Sequence, residues 1–382
     1  MKIDFNIYSF IDGVIISQAI FACILLWFSN QNKLSNRFLA TLLLVIALWL
    51  VDDFCRVAGI YNTNANLYFM PIFYSFAFGP LLYFYVKSLI NSSFRLQKKH
   101  FLHFIPVFLQ SLLYLFLNFQ PYTFKHWYWE NVHQPYTYRF EFDGTLLSLL
   151  IYLLLSISLI KQYQIWLLDN FSETSKIRLN WLKILLVILV ILCVQWFFEV
   201  ILRDVYQIYF NYNYSIQLLG ILALVLGTAG IKQINLENIA FIENNQENLT
   251  EKNASTKIIN NNINDNTNNK NPQIIDDLIL AKIVAGMEVE KLYLNPTLSL
   301  AEFAKSLQLP QKTVSNHINI GLKKSFNDFV NFYRVEEVKR RLKTVDIEKI
   351  TILAIAFDAG FNSKTTFNRI FKHFTGVAPR DF

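Results

Sequence analysis

The sequence predicts an all-α chain in three parts: a seven-transmembrane helical domain over residues 1–231, a flexible linker over 232–272, and an all-helical domain over 273–382. Three observations predict it. The 382 residues are 53% hydrophobic and only 16% charged, too apolar to be spread over a water-facing surface. Apolar runs near the 20 residues needed to cross about 30 Å of hydrocarbon as a helix occur seven times before residue 232. After residue 272 apolar residues recur at the three-to-four spacing of soluble helices, and one pattern occurs there twice.

The seven runs are approximately 10–28, 38–58, 69–90, 101–119, 143–166, 181–202 and 214–231. The second carries Asp52, Asp53 and Arg56 near its end, and the third contains Pro71 and Pro80, which spanning helices tolerate. Lys and Arg accumulate in cytoplasmic loops and so give the orientation. Loop one–two has Lys33 and Arg37, loop three–four has Arg95, Lys98 and Lys99, and loop five–six has Lys161, Lys176 and Arg178. The other side has Lys2, nothing in loop two–three, Lys125 and Arg139 in a long loop over 120–141, and Arg203. The bias places a multi-pass protein in the inner (cytoplasmic) membrane with its N-terminus outside and, after seven crossings, its C-terminus inside. A cleaved signal peptide is a poor match for the first run, whose flank holds Lys2 and Asp4 and which lacks an A-x-A-type site. Cys23, Cys55 and Cys193 each lie in an apolar run without paired spacing, and read as small buried hydrophobes.

From about residue 235 the composition changes. Residues 260–272 are nearly all asparagine and offer nothing to bury, so disorder is expected there. Before them, 232–258 can hold a short helix continuing the seventh span. Asn248 and Asn253 match the glycosylation sequon, a match read as accidental on the cytoplasmic side. Such a tether decouples the orientation of whatever follows from the membrane plane.

The C-terminal part opens at Asn271-Pro272, where proline suits a first helical position, with Ile275, Leu278, Ile279 and Ile283 on one face. Next, Leu300, Phe303, Ala304 and Leu307 mark a helix, Gln308-Leu309 a tight turn, and Pro310 the start of a second helix. This is a helix-turn-helix, with Ala304 as the small residue at the close approach. A long helix follows, opened by Ser325-x-x-Asp328, with Phe326, Phe329, Val330 and Tyr333 as its apolar stripe and Glu336–Arg340 and Glu337–Arg341 as i,i+4 pairs. Its basic run, Lys339, Arg340, Arg341 and Lys343, is either a solvated face or close to phosphates. The helix-turn-helix pattern then recurs, with Ala356 at the close approach, Gly360 at the turn, and Phe367, Ile370, Phe371 and Phe374 facing inward. The opposite face of that last helix presents Lys364, Thr365, Thr366, Asn368, Arg369 and Lys372, residue types that reach base edges and phosphates.

Residues 293–382 thus resemble the DNA-binding domain of the AraC/XylS family, in which a long helix joins two helix-turn-helix units. The stretch AFDAGFNSKTTFNRIFKHFTGVAPRDF carries the resemblance through Ala356, Gly360-Phe361, Phe367, Arg369, Phe371-Lys372, Gly376, Pro379 and Phe382. The resemblance implies base contacts from Thr365, Thr366 and Arg369 in the second unit and from Lys312, Ser315 and Asn316 in the first. The first unit departs from the family pattern at Gln308, where glycine is common, and at His317-Ile-Asn319, where an aromatic followed by lysine is frequent. The whole arrangement also looks like a subgroup of the family with multi-span N-terminal regions.

Other signals are weaker. His100-x-x-His103 has no third ligand nearby, the seventh run has no lysine for a retinal Schiff base, and Ala223-x-x-x-Gly227 is a common packing pair. Walker A, dinucleotide and nucleophile-elbow patterns are absent from the sequence. The expectation is a one-component transcription regulator, not an enzyme, without metal or cofactor. Its partners would be double-stranded promoter DNA, RNA polymerase, the bilayer, an unknown small-molecule or membrane signal, and a second copy in a homodimer. The rival readings are a transporter or passive anchor tethering a DNA-binding module, and a membrane enzyme using Asp52, Asp53 and Glu199. The expected sensor cluster is Asp52, Asp53, Arg56, Glu199 and Arg203, from spans two and six, beneath a loop containing His126, Trp127, Trp129 and His133.

Overall fold

A computed structural model of the chain describes residues 6–174, 177, 179–208, 214–233, 275–344 and 351–382. Among these residues all regular structure is helical, apart from isolated bridge positions such as Phe171 with Ser299. The chain divides into two compact units: Met1–Lys161 with Leu179–Ile242, and Gln162–Arg178 with Glu243–Phe382. The expected linker beyond Gln233, with its sequons and Pro272, lies outside the described residues.

The first unit contains α1 (Ile7–Trp27), α2 (Lys33–Val57), a short α3 (Ile60–Thr63), α4 (Phe78–Ile90), α5 (Ile105–Asn118), α6 (Tyr122–Tyr128), most of α7 (Tyr138–Asn170), α8 (Asn180–Asp204) and α9 (Tyr214–Ile231). Among the described residues, five helical stretches are long and apolar enough to cross a membrane: Ile7–Trp27, Lys33–Val57, Lys98–Asn118, Tyr122–Asn170 and Asn180–Asp204. Ser75–Ile90 and Gln217–Ile231 are shorter apolar helices. α2 is the central element, packed on α1, α4 and α9, and buries Leu39, Leu43, Ile46 and Leu50. Small residues let the neighbours close on it: a Cβ on Gly227 would meet Ala22 at 3.1 Å and Leu43 at 3.2 Å. The outward faces remain apolar, with Phe108, Leu109, Leu154, Ile184 and Ile191 exposed.

Two expected elements differ. The run 69–90 is α-helical only from Phe78, because Phe69 adopts a left-handed φ of +61° and Pro71 supplies no N–H. Pro80 falls in the first turn of α4, where that N–H has no intrahelical acceptor. The expected long loop over 120–141 is largely helical: α6, a wide π-helical segment over Trp129–Thr137, then α7. Aromatic packing holds it, with Phe124, Tyr128 and Trp129 against the buried Phe69, Tyr114 and Leu117.

The second unit contains α10 (Asp277–Glu288), α11 (Leu300–Ser306), α12 (Gln311–Asn316, continued by a wide turn to Gly321), α13 (Phe326–Thr344), α14 (Ile352–Asp358) and α15 (Lys364–Thr375). α10 begins later than the sequence suggests, capped by the Asp276 carboxylate on the Leu278 N–H, and Leu278 is exposed rather than on the inner face. α13 serves two cores. Its first half brings Phe326, Phe329 and Val330 to a core with Ile283, Met287, Phe303, Val314 and Ile318. Its second half brings Val335 and Val338 to a core with Ile355, Ala356, Phe361, Phe367, Ile370 and Phe371. Each core is one helix-turn-helix. In the first the turn residue Gln308 takes φ +54°. In the second Gly360 takes φ +94°, and a Cβ there would lie 2.4 Å from the Tyr293 carbonyl, so only glycine fits.

Candidate functional site

The second helix of each helix-turn-helix presents its polar residues outward. On α15, Ser363 caps the helix and Phe367, Ile370 and Phe371 anchor it, leaving Lys364, Thr365, Asn368, Arg369 and Lys372 exposed. Thr366, expected among them, is buried. It lies in the first turn, where its N–H donates to Ser363 Oγ and its own Oγ accepts from that hydroxyl, so it belongs to the cap. On α12, Lys312 is exposed and Ser315 and Asn316 are half-buried, while Asn319 donates to the Ser315 hydroxyl. His317 is buried and structural: its Nε2 accepts the Asp276 N–H, which leaves Nδ1 to donate to the Thr313 carbonyl.

The basic run on α13 is largely engaged within the protein. Lys339 pairs with Glu336, Arg340 and Arg341 both pair with Glu337, and Arg341 also reaches Asp358. Hydrogen bonds from Arg340 and Arg341 hold the Glu337 carboxyl down at about 2, against its burial.

A third feature of this unit had no sequence signal. Asn327, Asn331 and Arg334, on one face of α13, are buried and converge on Phe171–Ser172. Asn327 Nδ2 donates to the carbonyls of Phe171 (3.0 Å) and Ser172 (2.8 Å), and Asn331 Nδ2 to that of Ser172 (3.3 Å). Ser172 in turn donates its N–H (3.1 Å) and hydroxyl (2.7 Å) to the Leu298 carbonyl. Gln311, the first residue of α12, donates to Asn170 at 3.0 Å. Burial lowers the Arg334 guanidinium to about 10, with Glu173 opposing that shift.

In the first unit the expected polar cluster is largely assembled. Asp52, Arg56, Glu199 and Arg203 line one cavity of about 710 Å³, within the range of small-molecule sites. Asp53 lies outside the lining, buried, and pairs with Arg56. From the aromatic segment Trp129 and His133 reach the cavity, whereas His126 and Trp127 do not. Sequence reasoning missed Trp49, Tyr61, Tyr114, Tyr138 and Glu141, all on the lining, and Asp12, fully buried in α1. Asp12 was findable as an acidic residue inside an apolar run. Glu141 was not, because its segment read as loop.

The paired histidines of α5's approach have protein partners: His103 Nδ1 shares a hydrogen bond with Tyr152 at 2.7 Å, and His100 Nδ1 accepts the Gln97 N–H. Cys55 and Cys193 are buried and Cys23 is half-buried.

The family described as "Helix-turn-helix domain" matches residues 303–382. Uncharacterized HTH-type transcriptional regulators of Staphylococcus aureus, from strains COL and MSSA476, are each 30% identical over 116 residues. That stretch is 30% of this chain, and the chain spans only 15% of the length of these curated relatives. No solved structure matches the chain.

Proposed function

We propose that this chain is a membrane-anchored, one-component transcription regulator of AraC type. The observation that carries the reading is α13, each half of which anchors a helix-turn-helix whose second helix turns polar side chains outward. Arg369 and Thr365, one turn apart on α15, are suited to base edges, and Lys364 and Lys372 to phosphates. Lys312, Ser315 and Asn316 take the same role in the first unit. The name shared by the Staphylococcus relatives and the helix-turn-helix match support the reading.

The apolar helices anchor the protein in the cytoplasmic membrane, N-terminus outside, and keep the module beside promoter DNA and RNA polymerase. The cavity lined by Asp52, Arg56, Glu199 and Arg203 receives the signal. The protein is a binding protein rather than an enzyme, and a homodimer would read two half-sites.

The test is genome-wide mapping of sites bound by the tagged full-length chain, alongside Arg369→Ala. Discrete sites lost in the variant are expected, with occupancy that changes with external stimulus. Discrete sites indifferent to every stimulus and to cavity variants would reduce the first unit to an anchor. An absence of discrete sites would overturn the regulator.

A further inference from the structure

The cavity of the first unit is walled by nine aromatic side chains, Trp49, Phe69 and Trp129 among them, and its charges are unevenly satisfied. All three lining arginines already have carboxylate partners that lie off the lining. Arg56 pairs with Asp53, Arg203 with Asp143 (2.8 Å) and Asp204 (2.7 Å), and Arg139 with Asp204 (3.8 Å). The deeper lining carboxylates are held by neutral donors. Asp52 accepts from the Tyr61 hydroxyl at 2.5 Å. Glu141 accepts from Gln110 at 3.1 Å and Tyr114 at 2.9 Å. Glu199 accepts from Gln195 at 2.8 Å and Ser215 at 2.5 Å. Among the described residues none of these three carboxylates has a cationic side chain within ion-pairing distance. The three lining arginines are thus each shared with an aspartate off the lining, while Asp52, Glu141 and Glu199 on the lining are held by neutral donors. An anion entering here would compete with those aspartates for the arginines, Arg203 Nη1 excepted, whereas a cation meets carboxylates whose hydrogen-bond donors are neutral.

We propose that this cavity binds an organic cation, an amine or quaternary ammonium on an apolar body. The proposal rests on the reading of this cavity as the signal-receiving site and names what it receives. Aromatic walls suit the apolar body and the face of its charged group. The wall already holds one such contact, the Arg203 guanidinium 5.3 Å from the Phe142 ring centre. An inorganic ion fits less well, since among the described residues no three acidic, histidine or cysteine side chains converge as metal ligands do.

The experiment uses the full-length chain in nanodiscs of zwitterionic lipid and follows tryptophan emission, because Trp49 and Trp129 lie on the wall. Benzyltrimethylammonium is the probe and benzenesulfonate its matched anion. Saturable change with the cation is expected, at least about tenfold tighter than with the anion. Glu199→Gln and Glu141→Gln, which keep shape and remove charge, should each weaken the cation about tenfold. Equal or tighter binding of benzenesulfonate would overturn the cation class and leave the cavity as a ligand site. Cation binding indifferent to both variants, or no saturable binding of either probe, also overturns it. If the cation binds as expected but promoter occupancy never responds to cavity variants, the signal-receiving role fails while the cation site stands.

Discussion

Arg334 reaches back along the chain to Ser172: its Nη2 donates to the serine hydroxyl at 3.2 Å and to the Asn295 carbonyl at 2.7 Å. The same side chain donates through Nε to the Tyr293 carbonyl at 2.9 Å, so one buried cation ties three separate segments. Arg334→Leu leaves those acceptors buried without their donor. At roughly 1–3 kcal/mol for each unsatisfied group, the second unit should lose about 3 kcal/mol or more. Ser172→Ala removes one hydroxyl and should cost about 1 kcal/mol. Denaturant unfolding of the full-length chain, read by hydrogen exchange in α13, measures both. Exchange of the Ser172 N–H should accelerate in Arg334→Leu, and unchanged exchange would show that Phe171–Ser172 stays docked without the arginine.

Two residues two positions apart on α15 should fail in different ways. Arg369 is exposed and Phe367 is buried at the centre of the second core. Arg369→Ala should leave stability unchanged, weaken binding to the preferred site by about 1–3 kcal/mol, and relax selection at one base position. An equal loss on every sequence would make Arg369 a phosphate contact. Phe367→Ala leaves a cavity among Phe361, Ile370 and Phe371 and should cost on the order of 3–5 kcal/mol of domain stability. Competitive binding to randomised duplexes and thermal unfolding separate the two.

The residues differ in how far the sequence exposes their roles. Periodicity alone identifies Phe303, Ala304, Val330, Phe367 and Phe371 as core, since soluble helices bury residues at three-to-four spacing. It does not by itself place Thr366, which stands four before Ile370 at the flank of the inner face and is turned inward by the Ser363 cap. A reading of caps before faces would have separated Thr366 from Thr365. Asn327, Asn331 and Arg334 share a face at spacings of four and three, and polar residues at such spacing read as solvated. Their partner is more than 150 positions away and is mostly backbone, which leaves no residue signature. The charged cluster was legible because charges inside apolar runs are costly and conspicuous. Its aromatic wall was not, because aromatic residues are spread through all the apolar runs.

Glu337 makes the second unit sensitive to acid. Its carboxyl is held at about 2 in the folded chain by Arg340 and Arg341, below its unfolded value near 4.5. A depressed folded value means that its stabilisation is complete at neutral pH. It fades as pH falls from about 4.5 towards about 2, where the folded state must also take up the proton. Arg340 is more than half exposed, so solvent screens the pair and the contribution at pH 7 is on the order of 1 kcal/mol. Glu337→Gln should be less stable than the parent at pH 7 and nearly equal to it at pH 2. Urea midpoints across pH 2–7 give the comparison, and a constant gap would assign the loss to hydrogen-bond geometry rather than charge.

Topology is the remaining expectation, and it constrains the others. Lys and Arg fall mainly in the segments after the first, third and fifth apolar runs, among them Lys33, Arg37, Lys98, Lys99, Lys176 and Arg178. On that expectation the N-terminus lies outside, and an odd number of crossings would deliver the helix-turn-helix pair to the cytoplasm. The parity depends on the two shorter apolar helices, Ser75–Ile90 and Gln217–Ile231, because five crossings and seven give the same side while six do not. A reporter active only in the periplasm should be silent when fused after Asn262 and active when inserted between Gln120 and Pro121. A second insertion, after Asn62, tests the segment between the second and third runs and should also be active. Activity after Asn262 would place the module away from DNA and sink the regulator reading with the orientation. Silence at both Asn62 and Asn262, with activity at Gln120, would instead show that α4 does not follow a crossing at that point and that the spans must be recounted.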